Sequence, residues 1–284
     1  MDENKEQIKP NFIGIGAMKC ATTWISECLR YHPEIYMSSP KEIHFFSAYY
    51  DKGLDWYLNH FQESKAYKAI GEFSITYLPN KEVPARIMKT IGEVKILVSL
   101  RNPVDRFISH YKHYLRSGKV EDNLNLENYK KAIKDYPQLL DRGNYSKQLE
   151  KYIDIFGLGN IKIIIKEKID FNPEKVLNEL YSFLDVDSEF VPSLVKEKVS
   201  PGTIPKVKFL ENIRIKIHSW AKKYAPWFID FVKKYRLTEL YRKINNKKSF
   251  QVDPVVKNKL YEYYKDEIIK TKKLIRKDLS IWEK

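Results

Sequence analysis

The chain has 284 residues, 43% of them hydrophobic and 14% aromatic, enough for one large domain with a sizeable core. Its net charge of +14 favours anionic partners (phosphates, sulfates, uronates, nucleic acid or anionic lipid) without choosing among them. Two cysteines, Cys20 and Cys28, are too few for a disulfide framework, and with no run of about 18 apolar residues no transmembrane helix is expected.

Residues 1–10 are polar, lack an apolar signal core and read as a loose tail. With the cysteine usage, this predicts a soluble, cytoplasmic protein. Phe12 to Gly16 is a short apolar run ending in glycine, and predicts a strand. Trp24, Ile25, Cys28 and Leu29 then fall at helical spacing and predict a helix over Thr22 to Tyr31. Ala69 to Phe73 reads as a second strand. Val94 to Leu100 is almost wholly apolar, as a strand buried on both faces would be. Pro103 opens a helix to about Arg116, with proline in its first turn.

Residues 117–142 are polar and read as loop plus a short helix. Leu149, Tyr152, Ile153 and Phe156 make another helical face, Ile161 to Ile165 a third buried strand, and Pro173 starts a further helix. Strands alternating with helices predict an α/β fold, with a central parallel sheet flanked by helices. Residues 207–246 are basic, aromatic and helical in pattern. Val256, Leu260, Tyr264 and Ile268 repeat every four residues in a last helix, after which Trp282 is expected to tuck against the body. No boundary is evident, so residues 11–284 read as one domain with a helical C-terminal part.

The segment Gly14-Ile15-Gly16-Ala17-Met18-Lys19-Cys20-Ala21-Thr22-Thr23-Trp24 follows a strand and opens a helix. Glycines let the backbone approach a ligand, the first helical N–H groups point at an anion, and Lys19 adds full charge. The spacing is not that of a nucleotide triphosphatase loop, in which Ser or Thr follows Lys directly. The plainer alternative is an ordinary strand-to-helix turn. A second segment, Leu100 to Tyr111, has the same context. Arg101 at the strand's carboxyl end suits bidentate phosphate binding, and Ser109 follows two helical turns on.

Gly16 to Thr23 resembles the 5′-phosphosulfate loop of sulfotransferases that use 3′-phosphoadenosine-5′-phosphosulfate (PAPS). Cys20 and Ala21 stand where many members carry glycine. Arg101 and Ser109 match that family's 3′-phosphate segment, and Asp105 and Arg106 match its pattern as structural residues. Ser39 to Phe46, Gly53 to Tyr57, the Gly-x-Tyr at Gly143 to Tyr145, and Tyr263 to Trp282 resemble the heparan-type and related bacterial branch. The family's late loop over the nucleotide corresponds loosely to Val199 to Lys206.

The resemblance implies a phosphate-loop-like α/β fold, PAPS as co-substrate, 3′-phosphoadenosine-5′-phosphate (PAP) as product and no metal. It implies nucleotide contacts from Lys19, Cys20, Ala21, Thr22, Thr23, Trp24, Arg101, Ser109 and Tyr145. Lys19 stabilises the leaving phosphate. Glu72, in Gly71-Glu72-Phe73-Ser74-Ile75-Thr76-Tyr77, matches the family's carboxylate base, with Phe73 and Ile75 replacing the usual Lys and Pro. His44 is the rival base, and Lys41 and His44 are candidate acceptor contacts. The acceptor is expected to be a glycan or a small molecule rather than a nucleic acid. Peripheral membrane contact through 207–246 is an option, and the oligomeric state is open. Two rival functions remain: a phosphate-loop kinase or NTPase, and a non-catalytic basic module that binds glycan or nucleic acid. His110 and His113 lie three apart on one helix, but no further metal ligand has a strong spacing.

Overall fold

The computed structural model describes residues 8–196 and 250–283, together with isolated positions between them. The first seven residues of the expected tail, the Val199 to Lys206 loop and most of 207–246 lie outside the described residues. Five strands form one sheet in the order β2-β3-β1-β4-β5. They are β1 (Phe12–Gly16), β2 (Ile35–Met37), β3 (Ala69–Phe73), β4 (Lys95–Leu100) and β5 (Ile161–Ile165). Every pairing is parallel, as the strand–helix alternation predicts. Every residue of β1 and β3 is buried, because helices cover both faces of a sheet built by crossovers.

Helices α1 (Thr22–Tyr31), α2 (Phe45–Ala48), α3 (Leu54–Leu58), α4 (Val83–Ile91) and α5 (Pro103–Arg116) fill the first connections. After them come α6 (Leu126–Asp135), α7 (Gln138–Asp141), α8 (Tyr145–Phe156), α9 (Lys166–Phe171), α10 (Pro173–Phe183) and α11 (Pro254–Ile275). The α1 and α5 bounds coincide with those the periodicity and Pro103 predict. Residues 117–142 hold two helices instead of the single short one expected. In α6, buried Tyr129 and Ala132 lie three apart, and Asn125 caps the start by accepting from the Asn128 N–H at 2.8 Å.

Two glycines set how closely the central strands pack. In register, Phe12 faces Gly71 and Gly14 faces Phe73. A Cβ on Gly14 would lie 2.3 Å from the Phe73 ring, and one on Gly71 would lie 2.3 Å from the Phe12 carbonyl oxygen. Phe12 and Phe73 thus fill space that their partners lack side chains to occupy, beside Trp24, Ile25 and Leu97 in the core.

The chain groups into two compact units. The first comprises Met1–Phe107, Gln138–Val199 and Leu260–Lys284, and holds the whole sheet. The second comprises Ile108–Pro137 and Ser200–Lys259. Within it, Leu124 and Val252 form a parallel bridge, the Tyr111 hydroxyl donates to the Glu121 carbonyl at 2.8 Å, and Tyr114 meets Tyr136 edge to face.

Candidate active site

The strand order places the topological switch at β1. The chain leaves β1 for the β2/β3 side and returns across it to β4 and β5, and the carboxyl end of a strand at such a switch is where these sheets seat ligands. The loop leaving β1 is held from below. The Ala17 N–H donates to the Ser99 carbonyl at 2.7 Å, and the Ser99 hydroxyl donates to the Cys20 carbonyl at 2.6 Å. Lys19 and Ala21 have φ of 72° and 61°. That left-handed region costs a residue with a Cβ roughly 1–2 kcal/mol, which accounts for glycine as the common choice at position 21.

Ala21 precedes α1, and no side chain caps the helix start. The leading N–H groups of Thr22, Thr23 and Trp24 are therefore available to an anion, with Lys19 half-buried in the loop before them. Thr23 is exposed. Thr22 is buried, and its hydroxyl accepts from Lys41 Nζ at 3.4 Å. The Trp24 indole points into the core, so its contribution at the loop is its backbone. Cys20 is buried, and burial pushes its thiol up to about 11; it packs as a neutral group.

Arg101 begins the turn after β4. Its Nε is buried and has no hydrogen-bond partner, and its nearest carboxylate, Asp105, is 3.9 Å away. A buried guanidinium N–H left in that state is suited to an incoming phosphate oxygen. Ser109 is half-buried on α5, two turns past its start. Arg106, by contrast, is wholly buried and donates to the Leu139 carbonyl, a structural role. Tyr145 acts as a strut. Its hydroxyl donates to the Arg101 carbonyl at 2.9 Å and lies 3.8 Å from Cys20 Sγ, so it ties the two phosphate segments together.

Sequence reasoning gave no role to the residues that brace Arg101 from behind. Asn102 caps α5 through the Val104 N–H, and its own N–H donates to Glu167 Oε1 at 3.0 Å. Glu167 Oε2 accepts from the Trp282 indole at 3.0 Å, and Asn102 Nδ2 donates to the Trp282 carbonyl. Trp282 is fully buried, as expected, and its bonds to Asn102 and Glu167 hold the turn after β4. Only the Asp278-to-Trp282 pattern hinted at this; Glu167 carried no local signal.

On the β3 side, Glu72 has no solvent exposure. Its Oε1 accepts from the Tyr77 hydroxyl at 2.5 Å, and its Oε2 from the Ser74 hydroxyl at 2.5 Å and the Ile43 N–H at 3.3 Å. Burial raises its pKa from 4.5 to about 7, against the lowering effect of these donors. His44 sits above, with its side chain about 30% exposed and φ at 58°. Its Nδ1 is 2.9 Å from Thr76 Oγ1 and its Nε2 3.4 Å from Glu42 Oε2, while its backbone N–H donates to Ser74 Oγ at 3.0 Å. Lys41 lies between Thr22 and Glu42, with its ammonium 5.6 Å from the Phe73 ring centre. Burial pulls the Lys41 ammonium down, partly offset by Glu42. The structure thus joins Lys41 and Thr22, and through Ser74 joins Glu72 and His44. Among the described residues, no group of three or more His, Cys, Asp or Glu could hold a metal.

Residues 9–223 match the family model described as a sulfotransferase domain. The chain is 26% identical over 281 residues to the membrane-associated sulfotransferase kil1 of Dictyostelium discoideum, covering 67% of this chain and 60% of that protein. It is 31% identical over 189 residues to the mouse heparan sulfate glucosamine 3-O-sulfotransferase 3A1, covering 65% of this chain and 47% of that one. The match therefore spans about half to three-fifths of the length of these relatives. A solved sulfotransferase from Alicyclobacillus acidocaldarius shares the fold, with a TM-score of 0.70 and 24% identity over 98% of this chain and 100% of the other.

Proposed function

The chain belongs to the sulfotransferase family, and from that premise we propose that it moves a sulfuryl group from PAPS to a hydroxyl or amine of a glycan. The observation that carries this reading is the pair of anion seats at the carboxyl ends of neighbouring strands. One is the uncapped start of α1 with Lys19 after β1; the other is the orphaned Nε of Arg101 after β4. A nucleotide bearing a 5′-phosphosulfate and a 3′-phosphate has two anionic ends to occupy them. Relatives named for heparan sulfate support a glycan acceptor.

In the proposed reaction the α1 start, Thr22 and Thr23 hold the 5′-phosphosulfate, while Arg101 and Ser109 hold the 3′-phosphate. The acceptor oxygen or nitrogen attacks sulfur in line. A new bond to sulfur forms as the old sulfur–oxygen bond breaks, and the leaving electron pair stays on the phosphate. Lys19 stabilises that growing charge. The acceptor's proton goes to Glu72, whose pKa near 7 matches a base working at neutral pH. The Ile43 N–H, the longest of the three contacts to Glu72, is the one an acceptor hydroxyl would replace.

A second reading has a specific observation behind it. His44 is partly exposed where Glu72 is not, and Glu42 and Thr76 orient its ring. Single-turnover transfer separates the two. Glu72→Gln should lower the rate about 10²–10⁴-fold while PAP affinity stays unchanged, and His44→Asn should have a much smaller effect. Near-normal transfer by Glu72→Gln with a dead but folded His44→Asn would give the role to His44.

A further inference from the structure

Glu72 is enclosed by more hydroxyl groups than its hydrogen bonds account for. A carboxylate has about four lone-pair sites. Here Oε2 takes two donors, Ser74 and Ile43, and Oε1 takes one, Tyr77. The Tyr57 hydroxyl is buried and close enough to the same carboxylate to lower its proton affinity, yet it makes no hydrogen bond of good geometry. A buried hydroxyl without a partner costs about 1–3 kcal/mol, so its retention points to a state in which it is satisfied.

We propose that Tyr77 and Tyr57 are positioning residues for Glu72, Tyr77 as a standing donor to the carboxylate and Tyr57 as a reserve donor that turns its O–H onto Oε1 only when the carboxylate is ionised. The inference rests on the reading of Glu72 as the base. Packing fixes both rings and leaves the hydroxyl hydrogen as the mobile part. Tyr57 stacks on Phe45 at 4.5 Å and 14° and meets Phe46 edge-on at 5.1 Å, while Tyr77 meets Phe46 edge-on at 5.6 Å. Both phenols are held well above 10 by burial and then by Glu72, so they remain donors at any working pH. The groups packed around the carboxylate complete the set. The turn after β3 supplies Ser74 and Tyr77, and α3 supplies Tyr57. The 38–44 segment supplies the Ile43 N–H, while its charged side chains, Lys41, Glu42 and His44, make contacts with Thr22, with one another and with Thr76.

The sign follows from which form is stabilised. A donor to the ionised carboxylate lowers the proton affinity, so its removal raises it. The test is a pH titration of the carboxyl infrared band of Glu72 in ¹³C-glutamate-labelled protein, identified by its absence in Glu72→Gln. Tyr77→Phe should move the midpoint up by roughly one unit or more, and Tyr57→Phe should move it up by less. A circular dichroism spectrum of the folded protein is required of each variant, and Tyr57→Phe alone carries the test if Tyr77→Phe does not fold. Unmoved midpoints in folded variants overturn the proposal. Midpoints that move while Glu72→Gln still transfers sulfate would leave the hydrogen-bonded cage standing and overturn the reading of Glu72 as base.

Discussion

Arg101 shows how far a single residue could be read in advance and where that reading stopped. Its place after an apolar strand and before a Pro-started helix marked it as a phosphate ligand. The orphaned Nε, the feature that supports the proposed role, is visible only in the folded turn, where Asn102 and Trp282 both bond to Glu167. Arg101→Ala should weaken PAP binding by about 1.5–3 kcal/mol, the range for a charge-assisted contact, and should leave 5′-AMP binding nearly unchanged. Paired calorimetric titrations check this; equal losses for both nucleotides would remove the 3′-phosphate assignment. Glu72 was legible by pattern as well, but its full burial was not. Burial depends on Tyr57, fifteen residues upstream, and on a backbone segment that folds back over β3. Trp24 illustrates the opposite case. The loop pattern placed it beside the nucleotide, whereas its helical spacing with Ile25 and Leu29 put the indole in the core.

At the scale of elements, strands β1, β3, β4 and β5 and helices α1, α5, α8, α10 and α11 announce themselves by apolar runs or helical spacing. Several elements not anticipated were short or lacked punctuation, whereas α4 was passed over although Pro84 stands in its first turn and Gly92 at its end. β2 has three residues, α2 and α3 have four and five, and α9 begins at the residue after β5 ends. No turn residue separates β5 from α9, yet this junction sets Glu167 between Asn102 and Trp282. The last element should therefore matter well beyond its own few residues. Trp282→Ala removes a fully buried indole and its bond to Glu167. It should cost about 3–5 kcal/mol, as large aromatic truncations in cores do, measured by denaturant unfolding of the full chain. A loss under about 1 kcal/mol would mean that the C-terminal turn is a loose appendage.

For the whole molecule, the α/β class followed from alternation alone, and the five-stranded parallel sheet agrees with it. The net charge of +14 could not choose a partner; the family match supports the proposal of sulfuryl transfer while leaving the acceptor to experiment. The uncapped α1 start, the Arg101 turn and the hydroxyl-lined Glu72 follow β1, β4 and β3, neighbouring parallel strands, and the proposed reaction draws on all three. The most direct test is to incubate the purified chain with ³⁵S-labelled PAPS and a desalted cell extract, with and without a chelator of divalent cations, and to follow both PAP and the label. The account predicts PAP formed in step with label appearing in a glycan fraction, at the same rate in the presence of chelator. PAPS recovered intact from that mixture, alongside Mg²⁺-dependent hydrolysis of ATP by the same protein, would contradict it.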